Sequence, residues 1–331
     1  MRTVMIDGVR SVTVTAVPDA VLPGPDGAVV QVEATAICGS DLHFYDGDLP
    51  FYPMAVGHEA IGTVIEVGPD VRRFAPGDRV LVASVTGCGA CDGCATGDPV
   101  TCVQGPKVFG AGELGGAQAE LLAVHAADFQ LLHVPEGLSD EAALLLTDNL
   151  ATGWAGAAGA RGTVVVLGLG AVGLCAYRSA EAQGADVIGF DPVAGRRARV
   201  ARSVEGTVVD AVLEATGGRG ADMVIDCVAN DVSMNDAFAS VRSGGTVSVV
   251  GLHSMEPYPL SLMMGVYRSI TLRMRTAPVH QTWPDLVPLV QSGALDTTGI
   301  VTHSFPLDDA AAAYATVAAR SADCMKVVLV P

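Results

Sequence analysis

The sequence predicts an α/β protein in two parts, a β-rich N-terminal domain and a doubly wound domain around a parallel sheet. Three observations carry this expectation. Short apolar-alternating runs, punctuated by Pro/Gly turns, fill the first 150 residues. From about residue 150 the rhythm becomes apolar strand, helix, apolar strand, helix. A Gly-x-Gly-x-x-Gly run follows the first strand of that second rhythm and opens a helix. A chain of 331 residues is long enough for two domains, each with its own core.

Taken in order, Val29 to Ala34, Gly62 to Val67 and Arg79 to Ala83 read as strands of the first domain. Turns separate them at Pro23 to Gly27, Gly68 to Asp70 and Pro76 to Asp78. Thr163 to Leu167, Asp186 to Phe190, Ala221 to Cys227 and Thr246 to Val250 are the largely apolar strands of a sheet buried on both faces, and Arg268 to Met274 reads as one more. Trp283 to Ser292 and Leu307 to Ala319 read as helices, and Met325 to Val330 as a closing strand. The expected division is 1–149, 150–275 and 276–331, the last part packing back onto the first.

Half the residues are hydrophobic, yet Gly, Pro or charge interrupts every apolar run well short of a membrane span. The N-terminus, MRTVMIDGVR, has no apolar signal core, so a cytoplasmic protein is the expectation. A formal net charge of −17, with two lysines beside seventeen arginines, repels nucleic acid and anionic membranes. That balance argues against a polyanion-binding role and says nothing further about substrate.

Four cysteines, Cys88, Cys91, Cys94 and Cys102, fall at C-x2-C-x2-C-x7-C among Gly87, Gly89, Gly93 and Gly97. Thiolates are soft ligands, and four of them close the tetrahedral shell that structural Zn²⁺ prefers. Two disulfides or four unrelated buried thiols are the competing readings, weakened by the scatter of the remaining cysteines. A closed shell has no position for substrate, so this metal would hold a loop.

The run Gly168-Leu169-Gly170-Ala171-Val172-Gly173 lies between a strand and a helix, and Asp191 ends the next strand. That context fits a dinucleotide turn: Gly168 for the bend, Gly170 for backbone approach to a pyrophosphate, Gly173 for close packing. The diphosphate would sit on the free N–H groups of the helix N-terminus. Asp191 would accept hydrogen bonds from the adenosine ribose and repel a 2′-phosphate, which favours NAD over NADP. Arg196 and Arg197 work the other way, because a guanidinium there accommodates phosphate.

Cys38-Gly39-Ser40-Asp41-Leu42-His43 and, twenty residues after Cys38, Gly57-His58-Glu59 supply the sulfur and nitrogen ligands typical of catalytic Zn²⁺. Taken singly, Cys38 reads sooner as a buried core thiol and His58 as a satisfied loop histidine than as ligands. With these motifs, the quartet and the glycine run together, the chain resembles the zinc-dependent medium-chain dehydrogenase/reductases, the alcohol dehydrogenase superfamily. Within it the chain is most similar to bacterial formaldehyde-dehydrogenase-like alcohol dehydrogenases.

The resemblance covers nearly the whole sequence and implies a GroES-like catalytic domain with a Rossmann domain. It implies one catalytic and one structural zinc, with Cys38, His58 and Asp148 as ligands of the first and Glu59 as an alternate ligand. Many relatives carry cysteine where this chain has Asp148, and the alternative for Asp148 is a helix cap. Asp41 is expected to orient the ligand histidine. The implied reaction moves hydride between an alcohol, or hydrated aldehyde, and NAD. Ser40 would be the first proton acceptor, passing the proton through the nicotinamide ribose to His43 and solvent. A polyol or amino-alcohol dehydrogenase would show the same motifs, and a catalytically silent cofactor binder would need neither the open metal site nor the relay.

Relatives are usually homodimers or homotetramers joined through their nucleotide domains, which makes Thr246 to Leu252 the expected interface. Phe44, Tyr45, Phe51 and Trp154 are candidate pocket walls. The stretches near 154–162 and 202–211 look short against the family.

Overall fold

The computed structural model describes residues 1–111 and 114–331. It divides into two compact units: Met1–Ala151 with Pro278–Gly293 and Thr297–Pro331, and Thr152–Ala277 with Ala294–Asp296. The division falls inside the helix Asn149–Gly156.

The first unit is built on a seven-stranded sheet. Its main path runs Leu131–His133, Arg79–Val82, Glu59–Val67, Ala28–Ile37, Lys326–Val330, Val301–Pro306, and Leu121–Val124 also pairs with Ala28–Ile37. The strand Ala28–Ile37 is almost wholly buried, as its run of small and β-branched side chains requires. Antiparallel pairing sets Ala36 opposite Glu59, Val327 opposite Ile37 and Val82 opposite Ala60. Three chain segments distant in sequence thus start or finish at one end of the sheet: the end of the strand before Cys38, the beginning of the Glu59 strand and the beginning of the Lys326 strand. The expected return of the tail to the N-terminal part takes this form, a strand added beside Ala28–Ile37.

The second unit is a five-stranded parallel sheet in the order Asp186–Phe190, Thr163–Leu167, Ala221–Asp226, Val241–Val249, Thr271–Met274. Val164, Val165 and Val166 are completely buried, because helices cover both faces of a doubly wound sheet. Core clusters lie on either side of it, one around Val165, Ile188 and Val224, the other around Val164, Tyr177 and Ile225.

Several expectations need correction. Thr246–Val249 belongs to an interior strand, hydrogen-bonded on both sides, so it offers no free sheet edge. The edge strand on that side is Thr271–Met274, shorter than the expected Arg268 to Met274, and the helix Leu262–Tyr267 precedes it. Tyr45 is no pocket wall: it is buried in the core with its ring 5.4 Å from that of Tyr314. The trimmed stretch after Arg202 keeps one isolated parallel bridge, Gly189 to Ser203, before the helix Val208–Ala215. No helix is long and apolar enough to cross a membrane among the described residues.

Candidate functional site

Cys38 follows the strand Ala28–Ile37 and opens three tight turns: Asp41 N–H to Cys38 C=O, Leu42 to Gly39 and His43 to Ser40. The short helix Asp41–Asp46 grows from them. Asp41 turns back, and its Oδ2 accepts the Cys38 backbone N–H at 2.9 Å and Gln118 Nε2 at 3.2 Å. Its Oδ1 lies 3.5 Å from His58 Nδ1, on the opposite side of the ring from Nε2. His58 precedes the strand Glu59–Val67 at the same sheet end.

Asp148 arrives from elsewhere. Ser139 caps the helix Asp140–Leu145, whose residues from Ala142 onward are buried, and Thr147 C=O then accepts the Ser84 N–H at 3.1 Å. That backbone bond and Ser84 Oγ, which donates to Asp148 Oδ1 at 2.9 Å, aim the carboxylate. Its Oδ2 lies 3.9 Å from Cys38 Sγ and 3.8 Å from His58 Nε2. The described contacts of Asp148 therefore lead to the cysteine and histidine.

One ligand atom from each of Cys38, His58, Glu59 and Asp148 lies within 4.8 Å of the others, and all four residues are buried. Burial disfavours charge on His58, yet Asp41, Cys38 and Asp148 outweigh it and raise its proton affinity well above the ordinary imidazole value. Desolvation pushes the Asp41 and Glu59 carboxyls upward. A mixed S, N, O set crowded with negative charge in a dry site fits a divalent cation of borderline softness, above all Zn²⁺.

The quartet forms a second group of four within the same spacing. No cysteine is in a disulfide. Cys88 and Cys94 sulfurs are 4.0 Å apart, close to the edge of about 3.8 Å that a tetrahedral Zn–S₄ shell requires. Backbone N–H groups of Cys88 and Cys94 donate to the sulfurs of Cys102 and Cys91 at 3.3 and 3.5 Å. The Cys94 N–H pulls the Cys91 thiol down to about 6, while burial pushes Cys94 up to about 12. Four thiolates in one shell call for a cation, and the wrap depends on glycine: a Cβ on Gly93 would lie 2.1 Å from the Thr101 carbonyl.

In the second unit, Gly168 adopts φ +82°, and a Cβ on Gly173 would lie 1.8 Å from the Gly168 carbonyl. A Cβ on Gly170 would meet nothing within 4 Å, leaving open space over the N-terminus of the helix Ala171–Ala182. Ala171, Val172 and Gly173 stand in its first turn, where N–H groups lack intrahelical partners. Asp191 is buried and accepts the N–H groups of Leu169 and Val193, both at 2.8 Å. Arg196 approaches it at 3.8 Å. The open cradle, the helix N-terminus and the acid fit a dinucleotide.

Ser40 and His43 stand outside the ligand cluster. Ser40 makes no cap hydrogen bond, and His43 is half-buried with Nδ1 2.9 Å from Asp48 Oδ2. Three residues escaped the sequence reading. Asn149 Nδ2 donates to Asp148 Oδ2 at 3.1 Å and Glu59 Oε1 at 3.2 Å, Lys326 pairs with Glu59, and Gln118 holds Asp41. Lys326 carried a signal: it is one of two lysines and interrupts an otherwise apolar strand. Gln118 and Asn149 carried none.

Residues 24–136 match the alcohol dehydrogenase GroES-like domain family, and residues 171–292 match the zinc-binding dehydrogenase family. A Mycobacterium tuberculosis protein named as a probable zinc-binding alcohol dehydrogenase is 57% identical over 100% of this chain and 89% of its own length. The alcohol dehydrogenase TADH of Thermus sp. ATN1 superposes with a TM-score of 0.91 at 33% identity, covering 100% of this chain and 99% of that one. A zinc-binding dehydrogenase of Sinorhizobium meliloti 1021 bound to NADP gives 0.83 at 27% identity, covering 100% and 99%. The motif spacing, the fold and identity along the full length converge: the chain belongs to the zinc-type alcohol dehydrogenases, oxidoreductases of the medium-chain dehydrogenase/reductase superfamily.

Proposed function

We propose that the protein is an NAD-dependent alcohol dehydrogenase with one catalytic and one structural zinc, acting on an alcohol or hydrated aldehyde as formaldehyde-dehydrogenase-like relatives do. The observation that carries this reading is the buried Cys38, His58, Glu59, Asp148 group, which has a mixed donor set unlike the all-sulfur quartet. Cys38, His58 and Asp148 would hold the catalytic ion, and the four cysteines the other. A zinc ion bound there supplies Lewis acidity toward the substrate oxygen. Asp41 would steady the His58 ring through Nδ1, leaving Nε2 available as a ligand, and Ser84 would steady Asp148. Ser40 Oγ would accept the alcohol proton as its own hydroxyl proton moves on toward His43, which is half exposed, lies 2.9 Å from Asp48 and would release a proton to solvent.

Asp191 supports NAD as the hydride acceptor. Arg196 at 3.8 Å supports a second reading, in which NADP is accepted more weakly. Zinc-loaded protein assayed on a panel of alcohols and aldehydes with each nucleotide tests both. Hydride transfer with NAD in excess of NADP is expected; no transfer to either sinks the enzymatic reading, and a preference for NADP sinks the cofactor assignment.

The same proposal includes a cytoplasmic homo-oligomer. The helix Leu262–Tyr267 presents Leu262, Met263, Val266 and Tyr267 at 74–84% exposure beside the edge strand Thr271–Met274. An exposed apolar helix and an open edge suit antiparallel pairing with a second copy about a two-fold axis. Light scattering is expected to give at least a dimer, and Val266→Glu to dissociate it. A monomeric wild-type protein at micromolar concentration would refute this.

A further inference from the structure

Glu59 is held in a manner that metal ligation alone does not require. Its Oε1 is engaged twice, by the Lys326 ammonium and by Asn149 Nδ2 at 3.2 Å. Its Oε2 is buried and has no hydrogen-bond partner among the described residues. Glu59 is 0% exposed and Lys326 3%, so the pair is cut off from water. The carboxylate nevertheless belongs to the group whose ligand atoms lie within 4.8 Å of one another. Glu59 therefore touches a lysine and at the same time belongs to the group of residues that would hold the catalytic metal.

Charge and backbone geometry indicate which of them holds it. With Cys38 as thiolate, the residues Cys38, Asp41, Glu59 and Asp148 bring four negative charges into one buried cluster. A divalent ion answers two of them and Lys326 a third. The Lys326 backbone is held in place, because its strand is paired with Ala28–Ile37 through Val327 opposite Ile37 and with Val301–Pro306 on the other side. Asn149 bridges Glu59 and Asp148 with a single amide nitrogen, a donor placed between two carboxylates that would otherwise repel. An ammonium is a compact charge, and in a desolvated site it competes strongly for a carboxylate.

We propose that Lys326, assisted by Asn149, is a positioning residue that keeps Glu59 off the bound catalytic metal, so that one coordination position stays open for substrate. The inference rests on the metal-centre reading above. A zinc with three protein ligands keeps an exchangeable position, whereas a fourth carboxylate would close it. An ordinary supporting residue of a metal site lowers metal affinity or activity by about 10–100-fold when removed. Lys326 is expected to behave differently: its loss should make the metal harder to remove and the enzyme slower.

The test uses the full chain loaded with zinc at both sites and follows release of each zinc to a chelator, with the quartet zinc as internal reference, alongside turnover. Lys326→Met should release the catalytic zinc more slowly than wild type and lose about tenfold or more in turnover. Lys326→Arg should restore both. Adding Glu59→Gln to Lys326→Met should abolish the slowed release and recover turnover, because an amide is a poor zinc ligand. Glu59→Gln alone should leave zinc release unchanged, and this variant decides the matter should Lys326→Met fail to fold. Faster zinc release from Lys326→Met, or from Glu59→Gln alone, overturns the proposal. Wild-type protein that retains only the quartet zinc overturns it together with the metal-centre reading. Wild-type protein that holds both zincs but transfers no hydride defeats only the enzymatic reading, since zinc release still reports on Lys326.

Discussion

Asp148 decides the metal centre at the scale of single residues. Its two oxygens divide their work, Oδ1 toward Ser84 and Oδ2 toward Cys38 and His58. Asp148→Ala leaves two strong protein ligands, and the expected outcome is loss of the catalytic zinc, retention of the quartet zinc and a fall in turnover of about two orders of magnitude or more. Asp148→Cys should keep the metal and part of the activity, because thiolate is a good zinc ligand. Metal analysis after gel filtration checks both, and an alanine variant with two zincs and normal turnover would return Asp148 to a helix-capping role. Asp191 is the second decisive residue. Asp191→Ala should weaken NAD binding and narrow its lead over NADP, measured as the ratio of kcat/KM values. Because its oxygens also hold the N–H groups of Leu169 and Val193, the variant should loosen the turn as well.

Among elements, the glycine turn separates two demands that the motif joins. Gly173 serves packing, since a methyl group there would collide with the Gly168 carbonyl, whereas Gly170 faces open space. Gly173→Ala should therefore cost about 1–3 kcal/mol of stability in addition to nucleotide affinity. Gly170→Ala should leave the melting temperature near wild type and weaken only nucleotide binding. Calorimetry of the free protein and a nucleotide titration distinguish the two, and equal thermal losses would contradict this division. The cysteine loop obeys the same logic of local necessity. Cys94 is buried, and Cys94→Ser should lose the quartet zinc and stability before it alters the chemistry, because a closed site contributes to folding. Zinc content near one per chain with a lowered unfolding midpoint is the expected signature.

Stability of the whole molecule carries a buried histidine that plays no part in the chemistry. His280 stacks on Phe129 at 4.2 Å and meets Trp283 edge-on at 5.1 Å, and neither ring nitrogen has a hydrogen-bond partner among the described residues. Burial holds its pKa down to about 3. The unfolded chain takes up a proton near pH 6.5, which the native ring refuses until about pH 3, so this group weakens the fold as pH drops through that window. The loss is about 2 kcal/mol at pH 5. His280→Leu should flatten the acid limb of stability between pH 6.5 and 4, measured by denaturant unfolding at several pH values. An unchanged slope would show that His280 is not the group responsible.

The sequence by itself determined the elements and the ligands that lie close together in the chain. Thr163–Leu167 and Asp186–Phe190 have the limits their apolar runs predict, because a strand buried on both faces is largely apolar and here ends at a glycine turn, Gly168, or at a charge, Asp191. The quartet was legible because its ligands sit within fifteen residues and short spacers force them to converge. Tertiary structure decided the rest. Lys326 reaches Glu59 only because a C-terminal strand pairs beside Ala28–Ile37, and Gln118 reaches Asp41 from 77 residues away. Thr246–Val249 lies inside the sheet because Thr271–Met274 pairs outside it, an order that strand composition does not encode. The physical reason is common to these cases. Periodicity and spacing report what a residue does to its neighbours in the chain, while sheet order and register decide which distant side chains share one dry, charged volume.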